Sequence, residues 1–389
     1  MVRPVVWPGS GRPSTLVWTS GAIMGAMDAI LGIAGLICVV LVLWDVFQTI
    51  VVPRPTPSRL RIARHVVAPA WRAWRALAMR TRTGLARDAL LGLFAPGAAI
   101  LLLFVWLAVL VFGYGLILFA LRGELRPAPP DLGAAIYFAG SSVLTLGYGD
   151  FVADGGWSRL AVLTAAASGL GLVALVITFL FSLFGSYQRR EVLVVTLSAR
   201  AKSPPSAVTL LEAYARLDLV GELPALFGEW ERWMAEVLDT HVAYPLLGYF
   251  RSSHDETSWI SALGAILDAA SLTLTTIEGV PRGQAEITKR VGAHLVEDIS
   301  NILGLAGDGS AVDREAFSPV YERLAAAGYR LAPDEDAWRS FEKARGSYAG
   351  RLEAIAEYWA TSATLWAGQS RAAISTAHEA HPAESASSR

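Results

Sequence analysis

Residues 131–150 read Asp-Leu-Gly-Ala-Ala-Ile-Tyr-Phe-Ala-Gly-Ser-Ser-Val-Leu-Thr-Leu-Gly-Tyr-Gly-Asp, and this stretch constrains the fold more than any other segment. Asp131 follows two prolines and is a residue type that caps helix N-termini, so a helix is predicted over 132–144. About 13 residues at 1.5 Å each give a helix of about 20 Å, which is too short to cross a bilayer. Because the segment is apolar, it is predicted to be re-entrant, buried in protein at membrane depth.

The chain around this segment has the composition of a membrane protein. It has 389 residues, of which 53% are hydrophobic and 17% charged, whereas soluble domains carry roughly 25% charged residues. Three stretches reach the roughly 20 apolar residues that a spanning helix needs: 28–52, 96–121 and 160–187. Pro96 suits the first turn of the second span. The sequence therefore predicts an all-α membrane protein with a short apolar helix between its second and third spans.

The positions of the arginines predict the orientation. Nine arginines and one acid, Asp88, lie between the first and second spans, so the positive-inside rule places the connector 53–88 in the cytoplasm. The N-terminus and residues 122–159 then lie outside, and Arg189 and Arg190 lie just inside. The Arg-, Ala- and Leu-rich composition is typical of a GC-rich bacterial genome, so we expect a multi-pass protein of the bacterial inner membrane.

The basic connector has two interpretations. Its aromatic and apolar side chains alternate with arginines in a way that favours a helix in the headgroup layer, with anionic lipid headgroups bound along 54–87. The alternating residues are Trp71, Arg72, Trp74, Arg75, Leu77, Met79 and Arg80. The threefold spacing of some arginines also resembles a voltage sensor, but a sensor needs them inside a spanning helix. Pro69 and the short apolar gaps argue against that alternative.

Residues 191–376 have the pattern of a helical cytoplasmic domain, which we expect to be regulatory. Apolar residues recur at helical spacing over 256–277 and 284–304, and Pro333 followed by three acids is a helix start. A single long helix is predicted there from the stripe Trp338, Phe341, Tyr348, Leu352, Ile355 and Trp359. A strand signal is confined to 192–197. Residues 1–27 and 377–389 are predicted to be disordered, with Met24 or Met27 as possible true starts, and the first span is too long for a cleaved signal peptide.

Residues 145–150, Thr-Leu-Gly-Tyr-Gly-Asp, resemble the selectivity filter of the potassium-channel pore family, which reads Thr-Val-Gly-Tyr-Gly-Asp. The resemblance covers about residues 90–190. It implies a two-span pore module over 89–190, with one extra N-terminal span. The module would contain an outer helix at 96–121, a pore helix at 132–144, the filter at 145–150 and an inner helix at 160–187.

The resemblance implies a specific chemistry for the filter. A dehydrated potassium ion needs a cage of carbonyl oxygens, to which each of four chains contributes one oxygen per layer. The carbonyls would come from Thr145, Leu146, Gly147, Tyr148 and Gly149. The two glycines adopt the required backbone angles at low cost. The Thr145 hydroxyl would complete the innermost ion site, Tyr148 would pack behind the filter, and Asp150 would lie at the outer mouth. One filter segment per chain implies a homotetramer with fourfold symmetry.

The resemblance extends into the third span. Trp157-Ser158-Arg159 stands where the family often has Trp-Gly-Arg, and Gly169 stands where the family places a gating glycine. Gly171 is a second hinge candidate, and close helix packing is an equally good explanation of Gly169. The chain departs from the family at Leu146, and at Ser141, where some members have a bracing glutamate. Leu144 replaces a common threonine.

We therefore expect a passive potassium channel whose cytoplasmic domain controls a gate. The gate would lie where the third spans converge, near Phe181, Phe184 and Tyr187, and would be pulled through residues 189–191. Two alternatives remain open: a weakly selective cation channel, and a membrane sensor that no longer conducts. Asp45 inside the first span has either an anchoring or a gating role.

Several other functions find no support in the sequence. The single cysteine, Cys38, excludes a disulfide framework and a cysteine-based metal site. Acidic and histidine residues in the second half show no recognised metal spacing; they are His241, His254, Asp255, Glu256, His294, Glu297 and Asp298. We expect no catalytic residues, no organic cofactor and no nucleic-acid partner.

Overall fold

The structure, a computed structural model, describes residues 15–52, 62–81, 84–252, 257–307 and 312–361. Within these ranges the chain is almost entirely helical. The helices are α1 (Thr15–Val46), α2 (Ile62–Ala78), α3 (Gly84–Ala120), α4 (Leu132–Val143), α5 (Gly156–Ala201), α6 (Ala207–Arg216), α7 (Leu223–Ala243), α8 (Trp259–Thr275), α9 (Gly283–Leu303), α10 (Arg314–Ala326), α11 (Asp334–Gly346) and α12 (Ala349–Tyr358). A π-helical turn, Phe47–Val51, follows α1, and β1 (Leu125–Arg126) pairs antiparallel with β2 (Val152–Ala153).

The chain divides into two compact units. Unit 1 comprises Met1–Val52, Thr56–Val67 and Ile100–Phe179, and unit 2 comprises Pro53–Pro55, Ala68–Ala99 and Leu180–Arg389. Among the described residues, three helices are long and apolar enough to cross a membrane, over Gly25–Val51, Ala86–Ala120 and Gly156–Ala201. These helices agree with the coarse expectation of an all-α membrane protein.

The helices extend beyond the predicted spans. The first helix begins at Thr15 and not at 28, because the prolines of the N-terminal segment all precede it and nothing after them breaks a helix. Likewise, Pro96 lies inside α3 and not in its first turn. A proline there removes one backbone hydrogen bond from a helix of 37 residues, which its other bonds tolerate. The predicted disorder of 1–14 and 377–389 concerns residues outside the described ranges.

Two expectations for the second half of the chain were wrong. The strand signal at 192–197 lies inside α5, because no proline or glycine interrupts the chain between Tyr187 and Ala201. The predicted single helix through 338–359 is two helices, which are separated by a turn at Ser347 and Tyr348. Pro333 is the N-cap residue of α11 and not part of its first turn, while the acids that follow it occupy that turn as expected.

Asp45 joins α1, α2 and α3 within unit 1. Its Oδ2 atom accepts hydrogen bonds from the Trp106 indole at 2.8 Å and from the Ala63 backbone N–H at 3.3 Å. Ala63 is in the first turn of α2, where free N–H groups and the helix dipole favour a carboxylate. These contacts are those of an anchor. Near the other end of the span, a Cβ on Gly35 would overlap the Gly113 carbonyl, so these glycines let α1 and α3 pack closely.

The basic connector packs against protein in unit 2. Trp71 in α2 is only 2% exposed, and its ring contacts Phe94 and Tyr249 at centroid distances of 4.9 and 5.2 Å. Its indole N–H donates to the Tyr358 carbonyl at 3.1 Å. Trp71 is therefore not free to insert into headgroups, as the predicted interfacial helix would require. Pro69 lies inside this 17-residue helix, which is too short to span a bilayer.

Helix α8 is the centre of the soluble part of unit 2. Nearly all of its residues are buried, and it contacts α6, α7, α9, α11 and α12. Its only ionisable residue, Asp268, is 1% exposed and pairs with the guanidinium of Arg345 at 3.2 Å. The Tyr348 hydroxyl donates to the same carboxylate at 2.6 Å. Burial raises the pKa of Asp268, and the Arg345 charge opposes that shift, so the two charges depend on each other.

Replacing Arg345 with methionine should destabilise unit 2 by about 3–5 kcal/mol, because it leaves the Asp268 carboxylate buried without its cation. Arg339→Met is the matched control on the same helix: Arg339 is 71% exposed in its pair with Glu335, and such pairs contribute about 0–1 kcal/mol. Thermal unfolding of the full chain in detergent measures both. Equal melting temperatures for the two variants would contradict the buried ion pair.

Candidate functional site

The predicted pore helix is α4, which begins and ends close to the predicted bounds. The Asp131 side chain accepts a hydrogen bond from the Ala134 N–H at 2.8 Å, so it caps the helix. Helix α3 approaches α4 closely at Gly115, because a Cβ there would lie 2.7 Å from the Ile136 side chain. A cap at its start and a close contact with Gly115 along its side therefore fix the position of α4 against α3.

The backbone of residues 145–149 alternates in handedness. Thr145, Gly147 and Gly149 have positive φ angles of 56°, 60° and 79°, while Leu146 and Tyr148 between them do not. Such alternation places successive N–H groups on one side of the chain, so the carbonyl oxygens project from the other. From the sequence, this conformation was predicted for the two glycines but not for Thr145. A β-branched residue with positive φ is a genuine outlier, and such strain is found at functional sites.

The C-terminal end of α4 holds the start of this segment through its backbone. The Leu146 N–H donates to the Ser141 carbonyl at 2.8 Å, and the Thr145 N–H donates to the Ser142 carbonyl at 3.0 Å. The hydroxyls of Ser141 and Ser142 both donate to the Phe138 carbonyl, at 3.0 and 2.8 Å. The side chain of Ser141 therefore takes no part in bracing the segment. Its carbonyl oxygen does so instead.

The aromatic side chains of the segment lie against α4. The Tyr148 ring is parallel to the Tyr137 ring, with an interplanar angle of 3° and centroids 6.4 Å apart. The Phe151 ring contacts both Tyr137 and Phe138 of α4, at 6.4 and 5.8 Å. The Asp150 carboxylate interacts electrostatically with the Tyr137 hydroxyl. These contacts hold the tyrosine and the aspartate on the helix side of the segment. Tyr137 had not been singled out from the sequence, where it is one of many apolar helix positions.

The loop between α3 and α4, which contains Glu124, is hydrogen-bonded to the start of α5. The Glu124 carboxylate accepts a hydrogen bond from the Ser158 N–H at 2.9 Å, and the Glu124 carbonyl accepts from the Ser158 hydroxyl at 3.1 Å. A Cβ on Gly155 would overlap the same carboxylate. Arg159 lies 3.7 Å from Asp154, the residue that follows β2. Residues 157–159, which resemble the Trp-Gly-Arg of the potassium-channel pore family, thus lie where several hydrogen bonds and close contacts converge on Glu124.

The two glycines predicted as hinges have different surroundings. A Cβ on Gly169 would overlap the carbonyl oxygen of Val143, the last residue of α4, whereas a Cβ on Gly171 would meet nothing within 4 Å. Gly169 is therefore where α5 packs against the end of α4. Of the two explanations left open by the sequence, close packing has this direct contact. The hinge stays a prediction.

The three predicted gate residues are in unit 2 and differ in exposure. Phe181 is 76% exposed, whereas Phe184 contacts Phe250 with ring centroids 5.8 Å apart. The Tyr187 hydroxyl donates to the Arg251 carbonyl at 3.3 Å. Of the three, only Phe181 projects freely from the chain. The other two connect α5 to the segment that follows α7.

Arg190 connects α5 to the same segment through a buried set of contacts. It is 3% exposed and donates to the carbonyls of Leu247 and Phe250, at 3.1 and 2.7 Å. It also pairs with Glu191, and its NH1 atom lies 3.2 Å from Nε2 of His241. Because His241 Nδ1 faces the Val237 carbonyl at 2.8 Å, that nitrogen carries the proton and Nε2 accepts from Arg190. Arg190, which the sequence analysis placed just inside the membrane, thus lies within the domain core.

The described residues bring none of the other candidates together as a metal site. Within the described ranges, no group of three or more His, Cys, Asp or Glu residues could hold an ion. His294 pairs with Asp298 one helical turn away, at 3.5 Å on an exposed face. Residues 254–256 lie outside the described ranges.

Gly169→Ala should displace the end of α4 and lower stability by about 1–3 kcal/mol, because the added methyl group overlaps a backbone carbonyl that cannot rotate away. Gly171→Ala adds the same methyl group to open space and should be nearly neutral. Thermal unfolding of the two variants in detergent is the comparison to make. A less stable Gly171→Ala than Gly169→Ala would contradict the packing described above.

His241 should make the protein less stable in acid. Burial, together with the neighbouring Arg190 charge, lowers its pKa from 6.5 to about 3. The unfolded chain takes up a proton near pH 6.5 that the folded chain refuses until about pH 3, so stability falls with falling pH across that window. The slope is at most about 1.4 kcal/mol per pH unit.

The comparison is between wild-type protein and His241→Gln, with unfolding followed at pH 7, 6, 5 and 4. The variant retains every other ionisable group, so the difference between the two curves belongs to His241. Parallel curves would contradict a buried neutral histidine.

The comparison with known families agrees with the location of these residues. Residues 102–186 match a family model described as "Ion channel". No curated protein and no solved structure matches the chain. The matched range contains α4, residues 145–150, Gly169 and the gate candidates up to Phe184. The match indicates an ion-channel module in this part of the chain.

Proposed function

We propose that the chain is one subunit of a potassium-selective channel in which four copies surround one ion pathway. The observation that carries the proposal is the alternating φ angle of residues 145–149, together with the aromatic side chains held against α4. In this arrangement, one side of residues 145–149 would present only backbone carbonyl oxygens. An ion that sheds its water there would find carbonyl dipoles as its ligands.

Potassium is the ion that the segment would conduct. Carbonyl layers from Thr145, Leu146, Gly147 and Tyr148 would replace the hydration shell, and repulsion between ions in adjacent layers would keep them moving. The C-terminal end of α4, whose dipole is negative, would favour a cation below the innermost layer. Asp150 would add negative charge at the outer mouth, where its contact with Tyr137 orients it.

Assembly of four copies is supported by an apolar face of α5 in unit 2. Phe181, Phe184, Val192 and Val195 recur at steps of three and eight residues and are 39–76% exposed. Val192 and Val195 follow the predicted span 160–187 and the arginines at 189 and 190, so on that prediction they would lie beyond the lipid. A coiled-coil-like contact between copies of α5 would bury this face.

Gating would combine this helix face with the buried arginine. Phe181 projects freely and is the residue we expect to narrow the pathway where four α5 helices converge. Arg190 would transmit movement of the domain to α5, since its hydrogen bonds to the carbonyls of Leu247 and Phe250 fix α5 to the segment that follows α7. Gly171, which is free of packing, is the better hinge of the two glycines.

The membrane arrangement follows from charge. We place the chain in a bacterial inner membrane, with its N-terminus outside and the C-terminal domain, residues 191–376, on the cytoplasmic side. The exposed arginines Arg72, in α2, and Arg80, in the turn after it, would bind anionic lipid headgroups. Trp71 would serve this role only indirectly, by fixing α2 on unit 2.

Potassium flux into liposomes that contain the purified full chain is the direct test. We expect uptake that barium blocks and that Gly147→Ala abolishes, because alanine is strained at a φ of +60°. Gly92→Ala is the matched control, since Gly92 is in a regular helix with nothing within 4 Å of its Cβ position. It should conduct like wild type.

Two other outcomes would replace the proposal. A reversal potential that hardly distinguishes sodium from potassium would indicate a weakly selective cation channel, the alternative that Ser141 favours because its side chain does not brace the segment. Absence of flux from tetrameric, folded protein would indicate a sensor that does not conduct. A stable monomer or dimer in detergent and in lipid would contradict the fourfold pathway.

A further inference from the structure

Within the described residues, three buried oxygen atoms near the end of α1, outside the pathway proposed above, have no hydrogen-bond partner. They are Oδ1 of Asp45, Oε1 of Gln48 and the hydroxyl oxygen of Thr49. Asp45 and Gln48 are only 2% and 6% exposed, so water outside the protein does not reach these atoms. Gln48 and Thr49 follow Asp45 by three and four positions, the spacing at which side chains share one face of a helix.

The local backbone separates this cluster from an ordinary helix end. Residues Phe47–Val51 form a π-helical turn, in which the Val52 N–H donates to the Phe47 carbonyl at 3.2 Å. Such turns are rare and are frequent at functional sites. Serine and threonine hydroxyls inside helices commonly donate to a carbonyl of the preceding turn, as Thr164 and Thr196 do here. Thr49 makes no such bond within the described residues.

Among the described side chains, none with a positive charge is paired with Asp45. The two donors to Asp45, the Trp106 indole and the Ala63 N–H, both bond to Oδ2 and are both uncharged. The C-terminal end of α1 adds partial negative charge at the same place. A buried charge persists only when it is paired or bound to a cation, and an acceptor left without a donor is costly.

We propose that these oxygens form a binding site for one monovalent alkali cation per subunit. One carboxylate, one amide and one hydroxyl oxygen are hard ligands, which suit alkali and alkaline-earth ions and not transition metals. A single negative charge balances one monovalent ion, whereas a divalent site collects several carboxylates. The ion would fix the π-helical turn at the point where Asp45 holds α1, α2 and α3 together.

The indole N–H resonance of Trp106 reports on the site, because it bonds to the other oxygen of the same carboxylate. The full chain is labelled with ¹⁵N-tryptophan in detergent, and the Trp106 resonance is assigned with Trp106→Phe. Sodium or potassium chloride then replaces N-methylglucamine chloride at constant ionic strength. We expect the resonance to shift and saturate in wild-type protein, and to need at least tenfold more cation in Gln48→Leu and in Thr49→Val.

Two control variants separate this site from its surroundings. Gly147→Ala disables the proposed filter and should leave the Trp106 response intact, so that failure of one proposal does not count against the other. Thr196→Val removes a hydroxyl that is already bonded to its own helix and should also leave the response intact. Either variant, Gln48→Leu or Thr49→Val, suffices if the other does not fold.

Two results would overturn the proposal. The first is a Trp106 resonance that does not depend on either cation, or that depends on it equally in wild type and in both oxygen-deleting variants. The second is a resonance that responds only to pH, which would mean that a proton on Asp45 Oδ1 satisfies the cluster in place of an ion.

Discussion

The candidate pathway depends on how α4 holds the backbone that follows it. The Ser141 and Ser142 carbonyls, at the end of α4, accept the N–H groups of Leu146 and Thr145. These two bonds turn the chain out of the helix with Thr145 in a left-handed conformation, which a β-branched residue adopts only under constraint. The remaining parts of unit 1 act on α4 itself. Asp131 caps its start, Gly115 lets α3 lie against its side, and Gly169 lets α5 lie against its end.

In unit 2, as in unit 1, a small number of buried polar groups connect distant parts of the chain. Arg190 and Arg345 are the two guanidinium groups buried almost completely within the described ranges, and each has a carboxylate at hydrogen-bond distance. Arg190 also donates hydrogen bonds to two backbone carbonyls and to His241. Charges placed this way cost free energy to bury, but they accept few alternative partners and so favour one arrangement. That specificity is the property a domain needs if its movement is to reach α5.

Much of the membrane part could be read from the sequence because its signals are local. Helix length and apolarity predict spans, and an aspartate after two prolines predicts the start of α4. Glycines at 147 and 149 predict positive φ. The helix ends were less predictable, because a proline such as Pro96 is tolerated when the rest of a long helix compensates for it. The break after Gly346 was missed, since the apolar stripe continues on both sides of it.

The sequence by itself determined the three spans and their order, the short helix between the second and third spans, and the residues whose backbone oxygens could meet an ion. Only the tertiary structure decided which distant residues share a contact. It placed Trp71 on Tyr358, Tyr137 on Asp150 and Trp106 on Asp45. It also showed that Gly169 faces a carbonyl and that Gln48 and Thr49 lack partners. Periodicity and composition act over a few neighbouring residues, whereas packing and hydrogen bonding between distant residues depend on the folded chain.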